Sequence, residues 1–557
     1  MKKIICNKWI LPFAFLILLA GCKRDNLLDK FPPDAFTEPT YFKTENDLKY
    51  YANSFYGSLP TQFPNNDDNS DNMAPRSLNT LLAGNYTVPS TGGGWGVLNW
   101  TGIRRCNYFL ARYSRAETHL KERYAAEVRF FRALYYWEKV KNFGDVPLVL
   151  ADLNENSEEL YGPRVPHKQV MDKVLEDLNF AVANLPTKSE AAAGRLHKDA
   201  ANTLKSRICL WEGTFRKYHK LGDENIFLTE AVNSAEAIIN TGIYEIYSTG
   251  KPNEDYRNLF IQKDLSGNKE AIMARIFLKD ISTHDYTRTS GENNTGLSKS
   301  SADAYLFTDG KPIGVTSFSY DDSTPEKEAL NRDPRYAQTI AIPGFVWTEP
   351  NQIVQLPAIG TSRTSTGYWN IKARSSDPLQ WIAGQSDLDA FIFRYAEVLL
   401  NYAEAKYELA GTLTQAELDK SINKLRARVA MPNLTPNPAV DPNADDFGYP
   451  VTPLLYEIRR ERRIELMGEG FRFNDMLRWK AGKLIESTKS IRGMKLTDQL
   501  RAKYTYDISK ITVDADNYII VYPTFATKNR VWNDKMYLYP LPTEEIKLYN
   551  YKQNPGW

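Results

Sequence analysis

The sequence predicts a mainly α-helical protein. Its expected architecture is a tetratricopeptide-like scaffold of helical pairs carrying long loop and β-hairpin insertions. Three observations lead there. Apolar stripes of helical period recur through both ends of the chain. Ala alternates with aromatic residues along those stripes, which lets one helix approach where a ring fills the next gap. Between them lie polar, Gly- and Pro-rich stretches without that period.

The helices follow in order. Leu48, Ala52, Phe55 and Leu59 step by four, three and four, and Thr44 and Asp47 stand before them at capping-box spacing. Ala126, Phe130, Ala133, Trp137 and Val140 form a second stripe, expected to stop at Gly144 with Pro147 beyond. Ala201, Leu204, Ile208, Trp211, Phe215 and Tyr218 form a third. Phe391, Tyr395, Val398, Tyr402, Ala405 and Leu409 form a fourth, ended by Gly411. Thr414 and Glu417 then cap a run through Leu418, Ile422, Leu425 and Val429. The interruptions are 60–101, 245–385 and 431–452, and 500–540 reads as short strands. "EAIMARIFL" in 245–385 also has strand character. No clean 34-residue repeat is visible, so the array is interrupted. One domain, 22–557, is expected: a helical part to about 245, a ligand-loop region at 245–385, and a helical part from 386. Long loops on a rigid scaffold are where function is expected.

The chain has 557 residues and a formal net charge of +2. That balance argues against a nucleic-acid binder, which needs a basic excess against phosphate. The first 21 residues read as a signal peptide. Lys2, Lys3 and Lys8 precede an apolar run from Trp9 to Leu19, too short to span a bilayer. It ends in Leu19-Ala20-Gly21-Cys22, which resembles the bacterial lipobox, so the mature chain is expected to begin at a lipidated Cys22 and to be anchored rather than spanning. Cys106 and Cys209 remain. They either form one disulfide or, the expected arrangement, stay as buried free thiols.

Catalytic signatures are missing: no G-x-S-x-G, H-E-x-x-H, P-loop or G-x-G-x-x-G occurs. No two of His119, His167, His197, His219 and His284 stand at metal-ligand spacing. Neither a catalytic residue, a metal site nor a cofactor is therefore expected. "NNDDNSDN" (65–72) alternates acids like a calcium loop, but lacks the EF-hand Gly and Glu, so a polar surface loop is expected. The aromatic residues of the loops carry more information. An exposed ring beside polar side chains suits a sugar, whose apolar face stacks while its hydroxyls hydrogen-bond. Trp95, in "STGGGWGVLNW", is the leading candidate. Trp347, Trp369 and Trp381 follow, with Tyr86, Tyr286 and Tyr368 behind them. Trp100 sits at helical spacing with Ile103 and is assigned to the scaffold.

"RRERRIELMGEGFRFNDMLRW" (459–479) holds six Arg, three Glu and one Asp. Glu457, Glu461, Glu465 and Glu469 form a column at i, i+4 that would repel if alone. Arg460 stands three from Glu457, Arg462 three from Glu465, Arg472 three from Glu469, and Asp475 between Arg472 and Arg478. The charges interlock, so the stretch reads as a structural ion-pair network broken at Gly468 and Gly470 and pinned by Phe471 and Phe473.

That stretch resembles the signature of the SusD/RagB family of Bacteroidetes outer-membrane lipoproteins. "AAEVRFFRALYYWEKVKNFGDVPLV" (125–149), "FRYAEVLLNYAEA" (393–405) and "YLYPLPTEEIKLYNYKQNPGW" (537–557) agree with it in order. Tyr549 departs from the usual Asn, and 245–385 matches nothing that can be placed. The resemblance implies a SusD-like helical scaffold and a lipid-anchored, surface-exposed outer-membrane protein. It implies a non-catalytic role: capture of an oligosaccharide or polysaccharide and delivery to a SusC-like TonB-dependent transporter. A peptide ligand is the alternative within the family; a surface hydrolase or a scaffold without small ligand are alternatives outside it.

Overall fold

The computed structural model describes residues 41–61, 63–64, 66–348, 352–523 and 530–557. The signal peptide and Cys22 lie outside the described residues.

Nine helices carry the scaffold: α1 (Glu45–Asn53), α2 (Val97–Leu110), α3 (Lys121–Phe143), α4 (His167–Asn184), α5 (Lys198–His219), α6 (Glu224–Ile239), α7 (Tyr395–Ala410), α8 (Pro453–Glu465) and α9 (Arg472–Arg478). Shorter helical turns fill the connections. Helix α3 packs on α4, α5 on α6, and α7 on α6, so the chain stacks helical pairs as its stripes require. The Ala positions let the helices close up. At Gly213 of α5 an added Cβ would lie 2.7 Å from Leu228 Cγ of α6, so only Gly allows this approach. One large core runs through these helices, including Phe130, Trp137, Trp211, Tyr395 and Tyr402.

The punctuation expected from the sequence is present. Thr44 and Thr414 each close a capping box, with Asp47 and Glu417 respectively. Helix α3 ends at Gly144 (φ 70°) and α7 at Gly411 (φ 73°). Two stripes are shorter than their period suggests. Helix α1 stops at Asn53 and a 3-10 turn (Tyr56–Ser58) follows. Phe391 belongs to a strand that leads into α7. Ser421, with φ −126° and ψ −96°, splits the next run into Gln415–Lys420 and Ile422–Arg428. Cys106 and Cys209 are buried free thiols.

Six short strands form three antiparallel pairs: β1 (Ala271–Arg275) with β4 (Ala390–Arg394), β2 (Val346–Thr348) with β3 (Gln352–Ile353), and β5 (Arg492–Lys495) with β6 (Tyr518–Ile520). The β1–β4 pair, with Ala271 opposite Arg394 and Arg275 opposite Ala390, closes the long excursion back onto α7. The 500–540 region holds only β6 among the described residues, beside a helical turn (Asp498–Arg501) and a 3-10 turn (Asp534–Tyr537).

The charged stretch is structural, and its partners come from across the fold. Glu465 is fully buried and meets Arg394, Arg428 and Arg335 at 2.8, 2.6 and 3.1 Å. Glu469 meets Arg394 and Lys372 at 2.6 Å each. Glu461 meets Arg335 and Arg426 at 2.6 and 2.9 Å. The acid column from α8 into the following turn is thus neutralised by Arg335 and Lys372 of the 245–385 region, Arg394 of a strand before α7, and Arg426 and Arg428 of the Ile422–Arg428 helix. Two local pairings give way to distant ones. Arg462 turns to Asp475 (2.9 Å) rather than Glu465, and Arg472 to Asp71 (2.7 Å) rather than Glu469. The Arg460–Glu457 and Arg478–Asp475 pairs form as spaced, at 3.0 and 2.9 Å.

Residues 66–72 are only partly at the surface, Asn66 and Asn69 being exposed. Asp67, Ser70, Asp71 and Asn72 are all buried. Asp67 accepts the backbone N–H groups of Gly468 (2.7 Å) and Gly470 (3.1 Å), both glycines at positive φ. This lays the N-terminal loop on the turn between α8 and α9. An acid adjacent to a left-handed turn is well placed to cap exposed N–H groups.

These groups set an acid limit on stability. Burial alone would raise the Glu404 carboxyl, but the guanidinium of Arg478, with hydrogen bonds of 2.5 and 2.6 Å, outweighs it and holds it at about 2. Its folded pKa lies below its ordinary value of 4.5, so its contribution is complete above about pH 4.5 and is lost as pH falls toward about 2. Glu465 is lowered too, burial opposing and Arg428 prevailing. Asp67 has the opposite sign: burial lifts it to about 6, against the hydrogen bonds of Asn72 and the two glycines. It therefore subtracts stability as pH rises from about 4 to about 6. The expected result is a melting temperature that falls steeply below about pH 4.5, measured by thermal denaturation across a pH series.

Candidate functional site

Two cavities of the described surface differ in their chemistry. The first, about 220 Å3, is lined by the outer face of α8 together with Lys299, Lys489 and Arg492. Its cations are already paired. Lys299 meets Asp303 and Glu328 at 2.8 Å, Lys489 meets Asp303 at 2.8 Å, and Arg492 meets Asp514 at 2.6 Å. Arg460 pairs with Asp441 and Arg463 with Asp71. This cavity is the open edge of the structural network.

The second, about 400 Å3, lies in the ligand-loop region. The β2–β3 hairpin supplies Trp347 and Ile353. The segment 354–369 supplies Pro357, Arg363 and Trp369, and Tyr504 and Tyr506 come from the chain after the Asp498–Arg501 turn. Backbone bonds hold the walls. Ala341 N–H donates to Trp369 C=O at 2.9 Å and Ile371 N–H to Thr339 C=O at 2.8 Å. The Tyr504 hydroxyl donates to Pro357 C=O (2.9 Å) and the Tyr506 hydroxyl to Ile359 C=O (3.0 Å). Both hydroxyl oxygens keep lone pairs for an incoming donor. Rings on several walls, with scattered polar groups, suit a ligand with one apolar and one polar face.

Two sequence candidates, Trp347 and Trp369, line this cleft, and a third, Trp381, packs against Trp347. Trp347 and Trp381 pack edge to face, centroids 5.0 Å apart, both half-buried. Trp369 forms the floor of the same cluster with Ala341, Val354 and Ile371. At 2% exposure it offers at most an edge. Trp381 donates its Nε1–H to Ser375 C=O at 3.1 Å.

The other four candidates lie elsewhere. Trp95 is 3% exposed and packs edge to face against Trp100, Phe143 and Tyr551, with centroids at 5.3, 4.9 and 6.2 Å. No ring face is left for a sugar, so the expectation placed on Trp95 is corrected: the Gly-rich run folds its indole into the scaffold core. Tyr286 is buried, stacked on Phe63 at 4.8 Å, and its hydroxyl donates to Lys372 C=O at 3.2 Å. Tyr368 is buried with its hydroxyl on Glu328 at 3.0 Å. Tyr86 is half-buried against Tyr539 and Trp557 of the C-terminus. For Tyr286 and Tyr368 the same correction applies, since burial removes the ring face.

Sequence reasoning missed Tyr504, Tyr506 and Arg363. Tyr504 and Tyr506 stand two apart in a bend after the helical turn, and their rings meet edge to face with centroids 5.6 Å apart. Arg363 carries no signal in the sequence; its role follows from its place on Trp347, 3.8 Å from the ring centroid. Among the described residues, no cluster of three His, Cys, Asp or Glu side chains could hold a metal. No helix there is long and apolar enough to cross a membrane.

The fold has many relatives. A SusD-like protein from Bacteroides fragilis superposes with a TM-score of 0.69 at 25% identity, over 95% of this chain and all of that one. A second from the same organism, described as a SusD-like carbohydrate binding protein, gives 0.68 at 24% identity over 91% and 99%. SusD-like protein P2 of Formosa agariphila is 23% identical over 504 residues, 86% of this chain and 91% of that protein. The family model described as "Starch-binding associating with outer membrane" matches residues 65–210, and the SusD family model matches 253–557. That second match spans more than half of the chain, from the ligand-loop region through the α8–α9 signature to the C-terminus, and the protein belongs to the SusD/RagB family.

Proposed function

We propose that this protein is a non-catalytic, lipid-anchored outer-membrane protein that binds a glycan and delivers it to a SusC-like TonB-dependent transporter. The observation that carries the reading is the aromatic cleft: Trp347, Tyr504 and Tyr506 line one cavity beside polar groups, on loops held by a rigid helical scaffold. Two findings support it. A structural relative is described as carbohydrate binding, and the N-terminal family model is described as starch-binding and associating with the outer membrane. Trp347, with Arg363 over its ring and Trp381 packed against it, forms one wall, and Tyr504 and Tyr506 supply the rings on the other, Tyr506 being exposed. The Leu19-Ala20-Gly21-Cys22 sequence supplies the anchor through Cys22.

Isothermal titration of the mature chain against soluble plant, microbial and host polysaccharides tests the reading. Trp347→Ala should weaken the best ligand by about 0.5–1.5 kcal/mol beyond lost contact area. Its thermal midpoint should barely move, because the ring is half-exposed. Silence across the whole panel, or an unchanged affinity in the variant, would sink it. Ligand recovered intact after long incubation supports the non-catalytic role. Co-purification with a TonB-dependent transporter from native membranes tests the partner.

A further inference from the structure

The cations around the cleft differ from those of the α8 network. In the α8 network every arginine meets a carboxylate. Around the cleft, Arg257, Arg363, Arg374 and Lys503 meet none within 4 Å among the described residues. The Arg363 guanidinium sits over Trp347 (3.8 Å to the ring centroid) and near Trp369 (5.4 Å), half-buried on the cleft wall. Among the described residues its guanidinium makes neither a hydrogen bond nor an ion pair. Lys503 stands exposed on the same cavity.

Two more guanidinium groups lie close behind. Arg374 is fully buried, over Trp369 at 4.4 Å and Trp381 at 4.6 Å. Its Nη2 donates to Ser290 Oγ at 2.6 Å, while Nε and Nη1 are buried without a partner. Arg257, over Phe345 at 4.9 Å, donates Nη2 to Arg374 C=O and Ser376 Oγ and leaves Nε unpartnered. Burial depresses both, Arg374 to about 9 with Arg363 and Arg257 adding to the effect, and Arg257 to about 10. The carboxylate that acts on Arg363 and Arg374 from a distance is Glu292, which sits 3.6 Å from Arg288. No acidic residue lines the cleft among the described residues.

Taking cations out of water without counter-charge is costly; an anion in the cleft would meet Arg363 and Lys503 directly and act on Arg374 and Arg257, which do not line it, from behind the wall. A guanidinium stacked on an indole keeps its N–H edge for an in-plane partner, and its fork matches the two oxygens of a carboxylate or sulfate. A neutral sugar would leave that charge unanswered.

We propose that the glycan held in this cleft is acidic: a saccharide bearing carboxylate or sulfate groups, whose ring stacks on the cleft aromatics while its anionic group meets Arg363, with Lys503 beside it. This rests on the glycan-binding reading above and names the class of glycan.

Matched pairs test it. The mature chain is titrated with polygalacturonate and its carboxyl-reduced polymer, and with a sulfated galactan and its desulfated form. The acidic member of at least one pair should bind about tenfold tighter, and added salt should weaken it. The pair that shows the preference identifies the anionic group. Arg363→Gln should bring the ratio of acidic to neutral affinity toward one, and Lys503→Gln should reduce it. Lys503 is exposed, so that variant stays folded even if Arg363→Gln does not. Equal binding of both members in both pairs, or a preference unmoved by both variants, overturns the acidic assignment and leaves the glycan reading standing. Absence of binding to these four polymers with binding to neutral glycans of the wider panel overturns it as well. Silence to every glycan overturns both.

Discussion

Replacing Glu465 by Ala should destabilise the protein by about 3–5 kcal/mol, the cost of breaking a buried ion pair from one side. Its carboxylate is fully buried and takes both hydrogen bonds of Arg428 Nη2 at 2.6 Å, one from Arg394 at 2.8 Å and one from Arg335 at 3.1 Å. Removal leaves three guanidinium groups sharing the remaining acids. Glu270, at 3.1 Å from Arg394 and 3.2 Å from Arg428, and Glu461, at 2.6 Å from Arg335, are already engaged. The side chain lost is small in volume, so the effect is electrostatic rather than steric. Glu465→Gln separates the two: it keeps the shape and loses the charge, and should recover only a part of the loss. Denaturant midpoints of the two variants measure this. A loss under about 1 kcal/mol for Glu465→Ala, the scale of an exposed pair, would show that the network is hydrated in solution. Because typical domains are stable by only about 5–15 kcal/mol, low yield of the Ala variant is also expected.

Trp95→Ala should cost a comparable amount, about 3–5 kcal/mol, through the cavity it leaves. The indole sits among Trp100, Phe143 and Tyr551, so it ties the Gly-rich loop to α2, to the end of α3 and to the C-terminal segment at once. Rings held edge to face by neighbours from three segments cannot close the gap without moving all of them. The thermal midpoint is the readout. Glycan affinity of the folded fraction should stay that of the parent, because the Trp95 ring lies outside the cleft. A variant with parental stability and lost binding would reverse this assignment. The contrast with Trp347→Ala is the sharp test: one tryptophan acts on stability, the other on affinity.

The helices were legible because their signals are local. Ala126 to Val140 repeats at helical period, and Gly144 and Gly411 end their helices at positive φ, where other residues are strained. The network on α8 was legible as a kind of site but not in its partners. Spacing of three residues brings Arg462 near Glu465, yet a buried Arg reaches several ångströms and settles where the nearest uncompensated carboxylate lies. For Arg472 that is Asp71, some four hundred residues away in sequence (2.7 Å). The same limit affects the cleft. Trp95 and Trp347 both stand in loop segments that read as ligand-facing in the sequence. Only the packing of distant segments buries one and leaves the other half-open.

What the sequence determined by itself was periodicity and punctuation: which segments are helices, where they stop, and the order of motifs that marks the family. The tertiary structure decided which aromatic residues are buried and which stay at a cavity, and which arginines go without a carboxylate. Helix period depends on neighbours within four residues. Exposure and charge balance depend on what lies across the fold, as Arg363 does on Trp347 and Arg374 does on Trp369 and Trp381.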